Sequence, residues 1–360
     1  MSGTGALPKE MLSELLGTFV QDVASGFLNP ASIDLPLSEE AYRLESIFLP
    51  KPGCTVRSML EQIGYRPHDL SNPLEVGVAY LIRVGGSWSL PKSTYAYANP
   101  KSSSGRVNLF CRLICDGVTI YDHMPEGFEG ECWMLVRPDS FPIVLAPNLS
   151  VAQVRIFDGK SFLNEFDTAI AVKKFGLIFD SDGKKRDPKG LNTHADSIFL
   201  SLAVGEDFGY ECRGSHKPLD FGRTDAHDPF DYFTPISAPN GTYTLRKGSF
   251  YILSTLERVM VPPYLSAELR PIDVRLGEFR SHAAGYIDPG WGFGENGEAH
   301  GRPITLEVIP HEDMTVHHGQ TIARVRYERM KKPPSVSYDS AGSNYVLQSG
   351  PRLSKHFRSA

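Results

Sequence analysis

Glu307 interrupts the apolar run Ile304-Thr305-Leu306-Glu307-Val308, which follows the turn-rich stretch Ala284-Gly285-Tyr286-Ile287-Asp288-Pro289-Gly290-Trp291. A carboxylate set inside an apolar strand is costly to bury without a partner or a task. Partial burial raises its pKa toward neutrality, which suits a group that takes and returns one proton within a reaction cycle. The alternative, a half-buried strand with Glu307 facing water, stays open on this segment alone. A second group of interest is Lys101-Ser102-Ser103-Ser104-Gly105-Arg106. It packs two cations and three hydroxyls into one turn and supplies donors for an anion.

Other reactive side chains form no such set. The cysteines Cys54, Cys111, Cys115, Cys132 and Cys212 are odd in number, which argues against a secreted disulfide framework and for reduced thiols. Cys111 and Cys115 have no second pair at metal-ligand spacing and read as buried strand cysteines. His311, His317 and His318 read as surface or strand residues. Asp180-Ser181-Asp182-Gly183 begins like a calcium loop but lacks the later ligands, so a hairpin turn is expected.

The elements that must hold Glu307 are strands. The chain has 33 glycines and 27 prolines, and its periodic segments are short and β-branched or aromatic. Strands are expected near Glu75 to Val84, Cys132 to Val136, Val151 to Phe157, Ser249 to Thr255 and Thr321 to Tyr327. Helices are expected only near 7 to 17, Val56 to Ile63 and Ser161 to Val172. The order of elements repeats with an offset of 171 residues, measured between Val151 and Ile322 (322 − 151) or Tyr80 and Tyr251 (251 − 80). Two tandem all-β domains follow, over 1–172 and 173–330, with a tail over 331–360 that begins with a linker-like Lys331-Lys332-Pro333-Pro334. At 360 residues with a net charge of -5, the chain suits a soluble protein and suggests no nucleic-acid surface. No apolar run approaches the roughly 20 residues needed to cross a bilayer, and a cytoplasmic location is expected.

Ser249-Phe250-Tyr251-Ile252, the Val261-Pro262 step, Ile287-Asp288-Pro289-Gly290-Trp291, Leu306-Glu307 and the tail Tyr338 to Gln348 together resemble the deoxycytidine triphosphate deaminases of the dUTPase-like superfamily. The match is close over 249–360 and looser over the first half. It implies β-clip domains, distorted jelly-roll barrels with few short helices, acting on dCTP to give dUTP and ammonia. By this resemblance Glu307 is the general acid and base, and Ser102 and Arg106 orient the water and stabilise developing charge. Lys101, Ser103, Ala284, Asp288, Thr305, Leu306, Tyr338, Tyr345 and Gln348 would bind substrate. Asp288 would lie by the 3′-hydroxyl, the backbone of Thr305 and Leu306 at the base edge, and the tail over the nucleotide. Mg²⁺ would enter with the triphosphate.

The two copies differ. The first keeps the serines but has Val136 at the offset position of Glu307; the second keeps the glutamate but reads Arg270-Pro271-Ile272-Asp273-Val274-Arg275 in place of the serine loop. In the family these parts meet across a subunit interface, so the resemblance implies a composite site and a homo-oligomer with pseudo-threefold packing. Two departures stand out: Asn344, where the family has lysine, and the insert from Gly292 to Arg302. The His-x-Glu and Pro-Cys-x-x-Cys elements of zinc deaminases are absent, and no zinc is expected. A dUTP diphosphatase, a bifunctional deaminase and diphosphatase, and a non-catalytic nucleotide-binding regulator remain as alternatives.

Overall fold

A computed structural model describes residues 3–194, 196–280, 284–340, 345 and 348–359. The chain divides into two compact units. The N-terminal unit holds Leu7–Lys160, Gly214–Tyr232 and Ser354–Ala360; the C-terminal unit holds Met1–Ala6, Ser161–Arg213 and Phe233–Leu353. This differs from the division expected at 172/173 and 330/331, because short segments return to the unit they pack in.

In the N-terminal unit a sheet runs in the order Leu109–Cys115, Cys132–Pro138, Tyr80–Val84, Ile33–Leu44, Ser150–Asp158, Thr94–Pro100, His123–Met124. Helix Val56–Ile63 forms where expected. The Thr55 side chain accepts from Ser58 N at 3.2 Å at its start, and Gly64 ends it. Its apolar stripe of Val56, Met59 and Leu60 covers Leu81, Trp133 and Leu135 on one sheet face. Cys111, Cys115 and Cys132 are buried and not disulfide-bonded, on two adjacent strands. Burial pushes the Cys132 thiol well above its ordinary range.

The returning segments are fastened locally. Ile143–Val144 pairs in parallel with Leu219–Asp220, and His227 bridges Phe357. His356 is fully buried against the Phe221 ring, with Nδ1 donating to Arg223 O at 2.9 Å. Burial pushes its pKa down from 6.5 to about 4. The folded state therefore resists protonation that the unfolded chain accepts. His356's contribution is complete above pH 6.5 and is lost as pH falls toward about 4. We expect chemical unfolding at pH 5 to show a loss of about 2 kcal/mol relative to pH 7, and a smaller loss in His356→Gln. An equal pH dependence in the variant would remove His356 as the cause.

Two larger sheets build the core of the C-terminal unit, beside the two-stranded pair Thr242–Leu245 and Met314–His317. One runs Phe233–Ile236, Gly209–Cys212, Tyr251–Val259, Arg302–Pro310, Phe279–Arg280; the other runs Thr193–His194, Ser197–Ser201, Thr321–Arg329, Leu265–Arg270, Tyr286–Ile287. They share one core, to which Tyr251, Leu253, Leu306 and Val308 contribute from the first and Ile198, Ala267 and Val325 from the second. Helix Glu165–Phe175 starts at an Asn164 cap and stops at left-handed Gly176. Asp180 to Lys184 forms the expected hairpin turn, with Asp180 Oδ1 accepting from Lys184 N at 2.7 Å. No helix of the described residues is long and apolar enough to cross a membrane.

The repeat is visible in the strand registers. Val154 lies opposite Ala98, and 171 residues on (325 − 154) Val325 lies opposite Leu269. The strand carrying Glu307 has slipped by one. Glu307 lies opposite Ile252, whose counterpart Leu81 lies opposite Leu135, so Leu135 rather than Val136 occupies the equivalent position.

Candidate functional site

Strand alternation fixes the direction of Glu307. Ile304, Leu306 and Val308 point into the core, so Pro303, Thr305 and Glu307 occupy the opposite face. Across the ladder, Ser254 faces Thr305 and Ile252 faces Glu307. The neighbouring strand Phe279–Arg280 pairs only with Ile309 and Pro310, so among the described residues no strand covers the edge from Pro303 to Val308 on that side. Ala284 approaches there, and its N–H donates to Glu307 Oε2 at 3.3 Å. Glu307 is only 3% exposed, which removes the reading of a solvent-facing strand carboxylate. Thr305 is buried two residues away, and its hydroxyl meets no protein partner among the described residues. The Leu306 side chain lies in the core, which leaves only its backbone for a ligand.

A groove of about 530 Å³ lies on this same face, lined by Tyr210, Ser254, Pro303, Asp207, Arg258 and Gly350. Glu307 does not line it; the carboxylate sits further along the sheet, beyond Thr305. In the N-terminal unit the equivalent face, with Trp133 and Leu135 in place of Thr305 and Glu307, is filled by helix Val56–Ile63. The apolar stripe of the helix covers that face, and no acid stands at the position of Glu307.

The Ile287-Asp288-Pro289-Gly290 turn docks the tail. Gly290 has φ +93°, and a side chain there would meet Ser337 Cβ at 2.4 Å, so both conformation and space require glycine. Tyr338 N donates to Pro289 O at 2.9 Å, and the Tyr338 ring lies 5.2 Å from Trp291. Asp288 is half-buried in the same turn. The insert from Gly292 to Arg302 also receives the tail. Arg302 holds Asp339 through both guanidinium nitrogens at 2.5 and 2.9 Å, and Gly294 N donates to Asp339 at 2.9 Å. Tyr345 is buried in the core of this unit, and Gln348 Nε2 donates to Pro303 O at 2.8 Å. Asn344 and Ser281 to Ala283 lie outside the described residues.

In the N-terminal unit, Ser102–Gly105 is a single helical turn. Lys101 O accepts from Ser104 N and Gly105 N, and Ser104 Oγ donates to Val151 O at 2.7 Å. Ser103 and Arg106 are buried, whereas Ser102 and Lys101 are half-buried. Lys101 pairs with Asp34, which also accepts from Asn29 Nδ2 at 2.7 Å. Ser354 Oγ donates to Ser103 O at 3.0 Å, placing the C-terminal segment directly on the serine turn. Sequence reading missed this contact and Lys355 beside it, since nothing local marks where a chain terminus docks. The second copy's counterpart, Val274–Leu276, is a surface turn whose Arg275 pairs with Asp273.

A carboxylate buried on the sheet face away from the core, a docked tail and a serine turn on a repeated β-unit fit the dUTPase-like class. The crystal structure of 2′-deoxycytidine 5′-triphosphate deaminase from Agrobacterium tumefaciens superposes with a TM-score of 0.84 at 33% identity, covering 92% of this chain and 97% of that one. The models for the N-terminal and C-terminal domains of 2′-deoxycytidine 5′-triphosphate deaminase match residues 4–160 and 177–357. The chain belongs to the dCTP deaminase family. Among curated relatives, the dUMP-forming dCTP deaminase of Methanothermobacter thermautotrophicus is 31% identical over 166 residues, 43% of this chain and 77% of that protein. The dCTP deaminase of Halorubrum lacusprofundi is 30% identical over 162 residues, 43% of this chain and 74% of that protein.

Proposed function

We propose that the protein hydrolyses the C4 amine of dCTP to give dUTP and ammonia, with Glu307 as general acid and base. The observation that carries this reading is the burial of Glu307 on the sheet face away from the core, where its carboxylate accepts from Ala284 N. Water adds to C4 as Glu307 takes its first proton and passes it to N3; Glu307 then takes the proton of the new C4 hydroxyl and delivers it to the amine, so that the C4–N bond breaks as the C4 carbonyl forms. The products balance as dUTP and NH₃. Ser102 and Arg106 orient the water and stabilise the charge that develops on the ring. Lys101 and Ser103 bind phosphate oxygens, Asp288 the deoxyribose, and the docked tail excludes bulk water. Mg²⁺ would come with the triphosphate and offset its charge, with Lys101 and Ser103 as the protein's donors to the phosphates, and copies of the chain assemble so that loop and acid act on one nucleotide.

A second reading, deamination followed by diphosphate release to give dUMP, is favoured by the dUMP-forming relatives. Product analysis with dCTP and Mg²⁺ tests both. We expect ammonia and dUTP in equal amounts. Ammonia with dUMP and pyrophosphate selects the bifunctional reading, and pyrophosphate without ammonia overturns deamination.

A further inference from the structure

We propose that the side-chain hydroxyl of Thr305 is a further catalytic group, donating to O2 of the cytosine and stabilising the charge that builds on the ring as water adds. The role presupposes the deamination proposed above, and it adds a side-chain contact where the family resemblance implies only the backbone of Thr305. Thr305 is 4% exposed, and its Oγ1 is buried with no protein partner among the described residues. Buried hydroxyls are nearly always paired, and an unpaired one costs stability that a valine of the same shape does not. Valine is also at home in a strand, so folding alone gives no reason for the hydroxyl. A group on the substrate supplies its partner.

Position selects O2 as that partner. Thr305 and Glu307 share the sheet face away from the core, and alternate residues of one strand stand about 7 Å apart. C4, N3 and O2 follow one another along one edge of cytosine, and that edge with a hydrogen bond at each end spans a similar length. With C4 at Glu307, O2 falls at Thr305. Addition of water at C4 drives an electron pair onto N3, and the N3–C2–O2 unit spreads its charge to O2 until Glu307 passes a proton to N3. A donor at O2 acts most strongly at that moment. Thr305 keeps its own proton throughout, so the transfers assigned to Glu307 are unaltered. The N-terminal unit, which has no acid at this place, has no hydroxyl either. Trp133 stands in place of Thr305 and lies opposite Arg83, the counterpart of Ser254 (254 − 171), while Arg57 of the covering helix lies 5.0 Å over the Trp133 ring.

Thr305→Val in the full chain removes the donor and keeps the volume. The melting midpoint of the nucleotide-free protein is expected to hold or rise, while kcat for ammonia release from dCTP falls about 10²-fold and KM rises only about threefold. Thr305→Ser returns the hydroxyl and is expected to recover most of kcat. A purely structural threonine gives the reverse pattern, a lowered midpoint with little change in kcat. Unchanged kcat in Thr305→Val, or a fall that Thr305→Ser does not recover, overturns the proposal. Calorimetry separates the contact from the chemistry. In a Glu307→Gln background, where turnover is removed, Thr305→Val is expected to weaken dCTP about threefold and to leave inorganic tripolyphosphate unchanged. Equal loss of both ligands marks a general disturbance and overturns the contact. Selective loss of dCTP binding in a protein whose wild type releases no ammonia keeps the contact to the base and removes the deaminase reading.

Discussion

Glu307→Gln is expected to lower the rate of ammonia release from dCTP by at least about 10³-fold while leaving the fold intact. The amide keeps the volume of the side chain and an oxygen to accept from Ala284 N, so the packing around a 3% exposed position is preserved. In the proposed mechanism the loss is of the group that carries protons between water, N3 and the departing amine. A factor of 10³ corresponds to about 4 kcal/mol of transition-state stabilisation. Removing a charge from a buried site also relieves desolvation, so the melting midpoint is expected to hold or rise. Nucleotide binding should persist, because the acid is needed for chemistry more than for holding the phosphates. A variant within a few fold of wild type, with unchanged stability, would move the acid elsewhere.

The N-terminal unit contains its own control for this argument. Leu135 takes the position of Glu307, Trp133 that of Thr305, and helix Val56–Ile63 packs over both. One face of the same sheet thus became a closed apolar layer in one copy and a polar groove in the other. The apolar runs made both strands legible in the sequence, and an acid within such a run made Glu307 stand out. The 171-residue offset did not reveal the slip by one in this strand pair, since Cys132 to Val136 is apolar at every position and fits either register until the partner strand is known. The shared prolines Pro138 and Pro310, 172 residues apart (310 − 138), end the two strands and mark the true register. Helix Glu165–Phe175 was foreseen, but at Ser161 to Val172; the end signals Asn164 and Gly176 that set its true limits were not used. The returning segments were not legible. A two-residue parallel pairing such as Ile143–Val144 with Leu219–Asp220 has no periodic signature, and the burial of Ser354 and His356 depends on partners over 100 residues away. The tail posed the same difficulty. Its polar composition suggested a loose segment, and only the geometry shows Tyr345 in the core and Gln348 bound to Pro303 O.

The strongest fastening of that tail gives the second large effect. Asp339 is 4% exposed and Arg302 12% exposed in their side chains, and the two are joined by a bidentate ion pair beneath Trp291. Asp339→Ala leaves a buried guanidinium without its anion and strips the acceptor from Gly294 N, a loss on the order of 3–5 kcal/mol for a pair of this kind. The tail is anchored at the edge of the unit, so local release is expected before global unfolding. Residues 331–353 should become sensitive to limited proteolysis, and KM for dCTP should rise as the closed site is populated less often. Replacing the pair together, Arg302→Met with Asp339→Leu, is expected to recover much of the protection, because two apolar groups of similar bulk avoid the unpaired charge. If Asp339→Ala leaves the tail as protected as in wild type, the ion pair is incidental and the tail is held by its other contacts, those of Tyr338, Tyr345 and Gln348 among them. If the double replacement restores protection but not KM, Arg302 also acts on the nucleotide, and the insert from Gly292 to Arg302 belongs to the site as well as to the tail that closes it.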